Sequence, residues 1–234
     1  DKGSGNLGIL IVNEHITDEK RMKSTMSRYI DPGIADQLMS QGTDIMGGQE
    51  TLATVLFSDV RSFTTITESL GAQGTVALLN EYFDIMVEAI SEQGGMVDKF
   101  IGDAAMATFG TPISRGNDAQ NAFDCALAMN KKLKEWNASR AEKALPQIEH
   151  RIGIHYGPCV VGNMGSEQRT EFAVIGDPVN VASRICDACK QFDTNLIISK
   201  DVADRIGIQN NWENIKNFEI RGRKEKLDLV KIYA

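Results

Sequence analysis

Apolar positions along this chain fall into short β-rich runs separated by longer stretches with helical spacing. Thr51 to Ser58 is a continuous β-rich run, as expected of a central strand. Thr65-Ile66-Thr67-Glu68 then fits a capping box, and a helix is expected to about Gln93, interrupted near Gly71 and Gly74. Val97 to Ile101 and Ala104 to Phe109 read as two strands joined by a tight Gly102-Asp103 hairpin. Asn117 to about Glu142 sets Ala122, Ala126, Met129 and Leu133 on one side of a helix. Ile148 to Ile154 and Cys159 to Gly162 read as a strand pair turning at Tyr156-Gly157-Pro158. Asp177-Pro178 opens a helix to about Lys190, with Asp177 as its N-cap. A strand near 196–198, a short helix after Lys200 and strands near 213–220 and 227–233 complete the order.

That order is β-α-β-β-α-β with extra C-terminal strands. It predicts an α+β fold on the ferredoxin-like plan, helices covering one face of a largely antiparallel sheet. Ahead of it, Leu7 to Val12 reads as a short strand. A helix is expected from near Glu19, with Met22, Met26, Tyr29 and Ile30 as its apolar stripe. Asp31-Pro32 restarts the helix, Ile34 and Leu38 continue the stripe, and Gly42 to Gly48 reads as a loop. The expected division is an end strand or linker over 1–17, a linker helix region over 18–47 and one domain over 48–234.

Composition narrows the function classes. The net charge of −7 lacks the basic footprint of a nucleic-acid binder, and it leaves any anionic substrate dependent on local cations. The 42% hydrophobic content suffices for a sizeable core, yet no run approaches the ~20 residues of a membrane span. Of four cysteines, Cys186 and Cys189 form one C-x-x-C pair without a second pair or a nearby histidine, short of a zinc set. Reduced thiols in a cytoplasmic protein are the simpler expectation.

The chemistry concentrates in three segments. Asp59 ends the first strand and Asp103 sits at the tip of the next hairpin. In a ferredoxin-like sheet these strands are neighbours, so the carboxylates converge as hard oxygen ligands for Mg²⁺. Taken singly, each is an ordinary turn aspartate. The turn Val60-Arg61-Ser62-Phe63-Thr64 leads into a helix, whose first amides suit a phosphate; Thr64 and Thr65 serve equally as caps. Alternation puts Val97, Lys99 and Ile101 on one face, with Lys99 either protecting a sheet edge or donating into a pocket. Asn180 and Arg184 are four apart and share a helix face. Arg184 is shaped to grip a phosphate in two places, though an ion pair with Asp187 or Asp118 explains it too.

Phe57-Ser58-Asp59-Val60-Arg61-Ser62-Phe63-Thr64, Asp98-Lys99-Phe100-Ile101-Gly102-Asp103 and Gly176-Asp177-Pro178-Val179-Asn180-Val181-Ala182-Ser183-Arg184 resemble, in order, the motifs of the class III nucleotidyl cyclases. The resemblance spans roughly residues 50–234. It implies that Asp59 and Asp103, with the Val60 carbonyl, bind two Mg²⁺ or Mn²⁺ ions. It implies that the amides of Ser62, Phe63 and Thr64 hold the β- and γ-phosphates and that Lys99 contacts the adenine. Asn180 would orient the ribose, Arg184 would stabilise the transition state, and Arg221 would reach the terminal phosphates. The position seven before Asn180 departs from the pattern. Adenylyl cyclases carry Asp or Thr there and many guanylyl cyclases Cys, whereas this chain has Ala173. Base discrimination is then weakened, or falls to backbone groups near Val174 and Ile175.

The resemblance therefore implies an adenylyl cyclase that converts ATP to 3′,5′-cyclic AMP and pyrophosphate. Its groups would meet at two head-to-tail sites of a homodimer. Lys99 favours ATP, because guanylyl cyclases of this family usually place Glu there. The rivals are a guanylyl or dual-specificity cyclase, a diguanylate cyclase, for which no GGDEF-like run exists, and a catalytically silent nucleotide-binding regulator. Residues 11–21 are similar to the last strand of a PAS or LOV sensor entering its output helix, which implies an upstream sensor domain.

Overall fold

A computed structural model describes residues 47–166, 168–207 and 212–233. The readings made on residues 1–46, including the sensor-like strand and the linker helix, lie outside the described residues.

The elements are β1 (Gly47–Val60), α1 (Phe63–Glu92), β2 (Met96–Ile101), β3 (Ala104–Phe109), α2 (Asp118–Glu142), β4 (His150–Ser166), β5 (Arg169–Ile175), α3 (Asp177–Ala188), β6 (Leu196–Ser199), α4 (Lys200–Ile206), β7 (Glu213–Phe218) and β8 (Leu227–Ile232). The sheet order is β2-β3-β1-β4-β6-β8-β7, with β5 paired to the far half of β4. Its first four strands are the expected βαββαβ core with β1 central, and the extra strands extend it beyond β4. All pairings are antiparallel except β4 with β6.

Burial follows the strand alternation. Leu56 and Val60 of β1, Ile152 and Ile154 of β4 and Ile198 of β6 face the buried sides of α1, α2 and α4, where Met86, Ile90, Phe123, Met129 and Val202 complete one core. Ala53, Val55 and Phe57, the alternate β1 positions, join Met106, Val161, Val174, Ala182 and Cys186 on the other face. The expectation of helices on one face alone is thus corrected: α3 covers the opposite face. Gly153 admits it, since a Cβ there would come within 2.2 Å of the Cys186 backbone nitrogen.

Other expectations change at their boundaries. The loop ending at Gly48 gives way to β1 from Gly47. The capping box is displaced, because α1 begins at Phe63 with Ser62 as its N-cap in the left-handed region. Only Gly71, of the two glycines suspected, leaves helical geometry (φ 65°). The strand pair about Tyr156-Gly157-Pro158 is one strand, β4, matched to β1 without a break from Gly47↔Asn163 to Val60↔His150. Pro158 pairs with Leu52 of β1 and lies between the stretch of β4 that pairs with β6, ending at Ile154, and the stretch that pairs with β5, starting at Val160. Its missing N–H therefore interrupts neither of those ladders. Gly157 makes room for Pro178 of α3 rather than a turn. Strand β5 was not expected.

Candidate active site

The two aspartates come together. Asp59 stands opposite Ala104 in the β1–β3 ladder, one residue from Asp103 at the hairpin tip. Burial, and then the Asp103 carboxylate within hydrogen-bonding reach, push Asp59 up to about 6. Arg151, directly opposite on β4, brings its guanidinium within 3.8 Å of Asp59 and acts against that rise, as does Lys190. Two part-buried carboxylates set this close, Asp103 adding to the proton affinity of Asp59, form a donor set suited to a divalent cation. Among the described residues no third His, Cys, Asp or Glu joins them, so backbone, substrate or water oxygens must complete a coordination shell.

Beside the pair, α1 begins. Its first backbone bond runs from the Ile66 N–H to the Ser62 carbonyl, so the amides of Phe63, Thr64 and Thr65 precede the helical ladder. Ser62 and Thr64 are exposed and Phe63 is half-buried. No acidic residue occupies the first turn, which leaves the positive end of the helix dipole uncompensated by its own side chains.

Lys99 is where alternation misled. The β2–β3 register slips between Val97, opposite Ala107, and Lys99, opposite Met106, with Asp98 as the extra residue of a β-bulge. The slip separates Lys99 from Val97: Val97 packs on the α1/α2 core, while Lys99 shares the face of Met106. There the Lys99 ammonium donates to Glu171 of β5 at 2.8 Å and lies 3.5 Å from the Asp98 carboxylate. The hydrogen bond to Glu171, and to a lesser extent Asp98, raises the Lys99 pKa, so the ammonium stays charged. The Asp98 side chain is wholly buried; burial raises its proton affinity, while Lys99 and the Val174 backbone act the other way. On β5, Phe172 and Val174 turn into the core, so Glu171, Ala173 and Ile175 share the other side. Sequence reasoning missed Asp98 and Glu171. The bulge carries no sequence signal, and the approach of Glu171 to Lys99 follows from β5.

Helix α3 holds the remaining groups. Gly176 is its N-cap, not Asp177; with φ at 144° it favours glycine. Asp177, the first helical residue, pairs with Arg223 of the β7–β8 loop at 3.5 Å. The helix runs along β4 with Pro178 over Gly157 and Cys186 over Gly153, so its C-terminal end lies nearest Asp59. Asn180 is exposed and roughly 9 Å back along the helix axis from Cys186, at 1.5 Å per residue. The structure thus brings Asp59 and Asp103 together and leaves Asn180 on the solvent side of α3, away from them. Arg184 pairs with Asp187 at 3.5 Å and lines, with Arg221 and Lys190, an open cleft of about 410 Å³. A larger cleft, about 1080 Å³ between α2 and the start of β4, contains none of the expected site residues.

Residues 48–232 match the family described as "Adenylate and Guanylate cyclase catalytic domain". Adenylate cyclase 1 of Rhizobium meliloti is 29% identical over 94% of this chain and 35% of its own length. The solved adenylyl cyclase CyaB from P. aeruginosa superimposes with a TM-score of 0.73 at 30% identity, covering 81% of this chain and 97% of that one. The guanylyl cyclase Cya2 gives 0.71 at 34% identity, over 80% of this chain and 93% of that one. The chain spans 35–44% of the first curated relatives it matches.

Proposed function

From its membership of the adenylate and guanylate cyclase catalytic domain family, we propose that this chain is the catalytic domain of a homodimeric adenylyl cyclase, converting ATP to 3′,5′-cyclic AMP and pyrophosphate. The observation that carries the reading is the convergence of Asp59 and Asp103, which raises the proton affinity of Asp59.

Asp59 and Asp103, with the Val60 carbonyl, would hold two Mg²⁺ or Mn²⁺ ions. Bound there, the ions would lower the pKa of the ribose 3′-hydroxyl and neutralise the triphosphate. The Ser62, Phe63 and Thr64 amides at the start of α1 hold the β- and γ-phosphates. Lys99 donates to adenine N1. Asn180 orients the ribose for in-line attack, and Arg184 meets charge that grows on the α-phosphate and its leaving group. Arg221, on the Arg184 cleft, reaches the terminal phosphates. Ala173 offers the base no side-chain hydrogen bond, so the backbone near Val174 and Ile175 contributes what discrimination it supplies.

The placement of Asn180 on the exposed side of α3, towards the end of the helix remote from Asp59, supports a site shared between two chains. A second, antiparallel copy presents its Asn and Arg to the first chain's carboxylates, which yields two equivalent sites. The division proposed with this reading is the end of an upstream sensor-like strand or a linker over 1–17, a linker helix region over 18–47 and the catalytic domain over 48–234. No described helix is long and apolar enough to cross a membrane. The adenylate cyclase relatives favour ATP over the guanylyl alternative.

The test is a cyclase assay with Mn²⁺ and either ATP or GTP as sole nucleotide. Cyclic AMP above cyclic GMP is expected. Absence of both products from folded, dimeric protein would leave the nucleotide-binding regulator as the better reading.

A further inference from the structure

We propose that Asp98 is a positioning residue for Lys99: buried at the β2 bulge, it fixes the ammonium on the base-recognition face and thereby sets the preference for adenine. The inference rests on the cyclase reading and deepens it. On an unbroken strand Lys99 would share the face of Val97 and point into the α1/α2 core. The extra residue in the register re-aims it, and that residue is Asp98.

Asp98 has no evident structural reason to be charged. Its side chain is completely buried beside an apolar core that includes Met96 and Val174, and besides Lys99 it is the Val174 backbone that favours its charged form. A buried carboxylate in that state costs stability, and an apolar side chain of similar size is often neutral or better. What the charge does have is Lys99, 3.5 Å from Oδ2. The second partner of Lys99 is Glu171, whose side chain is 57% exposed and free to change rotamer. Between them the ammonium has one fixed neighbour and one adaptable one. With Asp98 removed, it would follow Glu171 out towards solvent. Ala173 adds no polar side chain, so the placement of one ammonium carries most of the side-chain recognition of the base.

The test is a double-mutant cycle on the intact dimer, reading kcat/KM for ATP and for GTP together with the melting temperature. Asp98→Val should melt at or above the wild-type temperature while the ATP/GTP ratio falls by about three- to tenfold, the range of one lost hydrogen bond. Lys99→Met should lower the ratio by itself. In the Lys99→Met background, Asp98→Val should change the ratio no further, because the group it positions is gone. An unchanged ratio in Asp98→Val, or an equal effect with and without Lys99, would overturn the proposal. If Asp98→Val does not fold, Asp98→Asn enters the same cycle, and the same two results support or overturn the proposal. A wild-type protein inactive on both nucleotides would instead remove the cyclase reading, so the two failures are distinguishable.

Discussion

Arg151 Nη1 lies 3.8 Å from Asp59 Oδ2, reaching across from the strand directly opposite. The guanidinium, largely buried, offsets part of the repulsion between Asp59 and Asp103. Asp59→Ala and Asp103→Ala should each abolish cyclisation and leave the circular dichroism spectrum unchanged. Substantial Mn²⁺-dependent turnover by either variant would remove the carboxylates from the mechanism.

Mixing two dead proteins tests the shared site. Asp59→Ala and Arg184→Ala chains, each inactive alone, should recover activity on subunit exchange, because a mixed dimer holds one intact site and one doubly damaged site. Up to about a quarter of wild-type activity is expected from statistical pairing. Exchange proved by crosslinking but without recovery would mean that the site is built within one chain.

Ala173→Thr should restore a hydrogen-bonding side chain facing the base and sharpen the ATP preference by about three- to tenfold. Lys99→Glu with Ala173→Cys should shift it towards GTP. If the ATP/GTP ratio of kcat/KM does not move in Ala173→Thr, this side chain does not read the base.

Gly153→Ala places a methyl 2.2 Å from the Cys186 backbone nitrogen and 2.6 Å from the Ala182 carbonyl oxygen. Neither atom belongs to a flexible side chain, so α3 must lift. A loss of about 1–3 kcal/mol is expected from overpacking. The fall in kcat should exceed that of an equally destabilised variant remote from α3, because Asn180 and Arg184 move with the helix. Calorimetry and steady-state kinetics on both proteins decide this.

His155 is 4% exposed with an unpartnered Nδ1, and burial pushes it down to about 4, while Asp201 and Asp177 pull the other way and Arg223 adds to the fall. In the unfolded chain it titrates near 6.5, so protons bind that state first as the pH drops. Its contribution to stability is complete above about pH 6.5 and disappears as the pH falls towards 4. His155→Leu should therefore lose less stability than the wild type between pH 7 and 4.5, by up to about 2 kcal/mol. Parallel denaturation curves at the two pH values would show that this imidazole is not the titrating group.

Much of the core was legible because its signals are local. β1, β2, β3, α1 and α2 each show a run or a period of their own; Asp59 and Asp103 sit where those strands end or turn, and Asn180 and Arg184 fall one helical turn apart within α3. The failures have one cause: a tertiary contact overrode a local rule. Gly157-Pro158 looks like a turn, but the glycine makes room for Pro178 and the proline falls between the stretches of β4 that pair with β6 and β5. Gly176 caps α3 with φ at 144°, close against the Pro158 carbonyl, a conformation that suits glycine. Lys99 changed faces because Asp98 bulges, and a bulge is invisible to a period of two. Asp98 and Glu171 escaped notice for the same reason, since neither matters until Lys99 of β2 meets Glu171 of β5.

The unbroken ladder from Gly47↔Asn163 to Val60↔His150 makes β1 a ruler. Asp59 is graduated along it, and every pair between the two ends must agree on where the mark falls. A slip of one residue would turn the carboxylate to the opposite face, and a slip of two would carry it ~7 Å from Asp103. No intermediate setting exists. Any segment that enters at Gly47 therefore meets a site that it cannot slide by degrees. Its means of graded control lie in how two such rulers are set against each other.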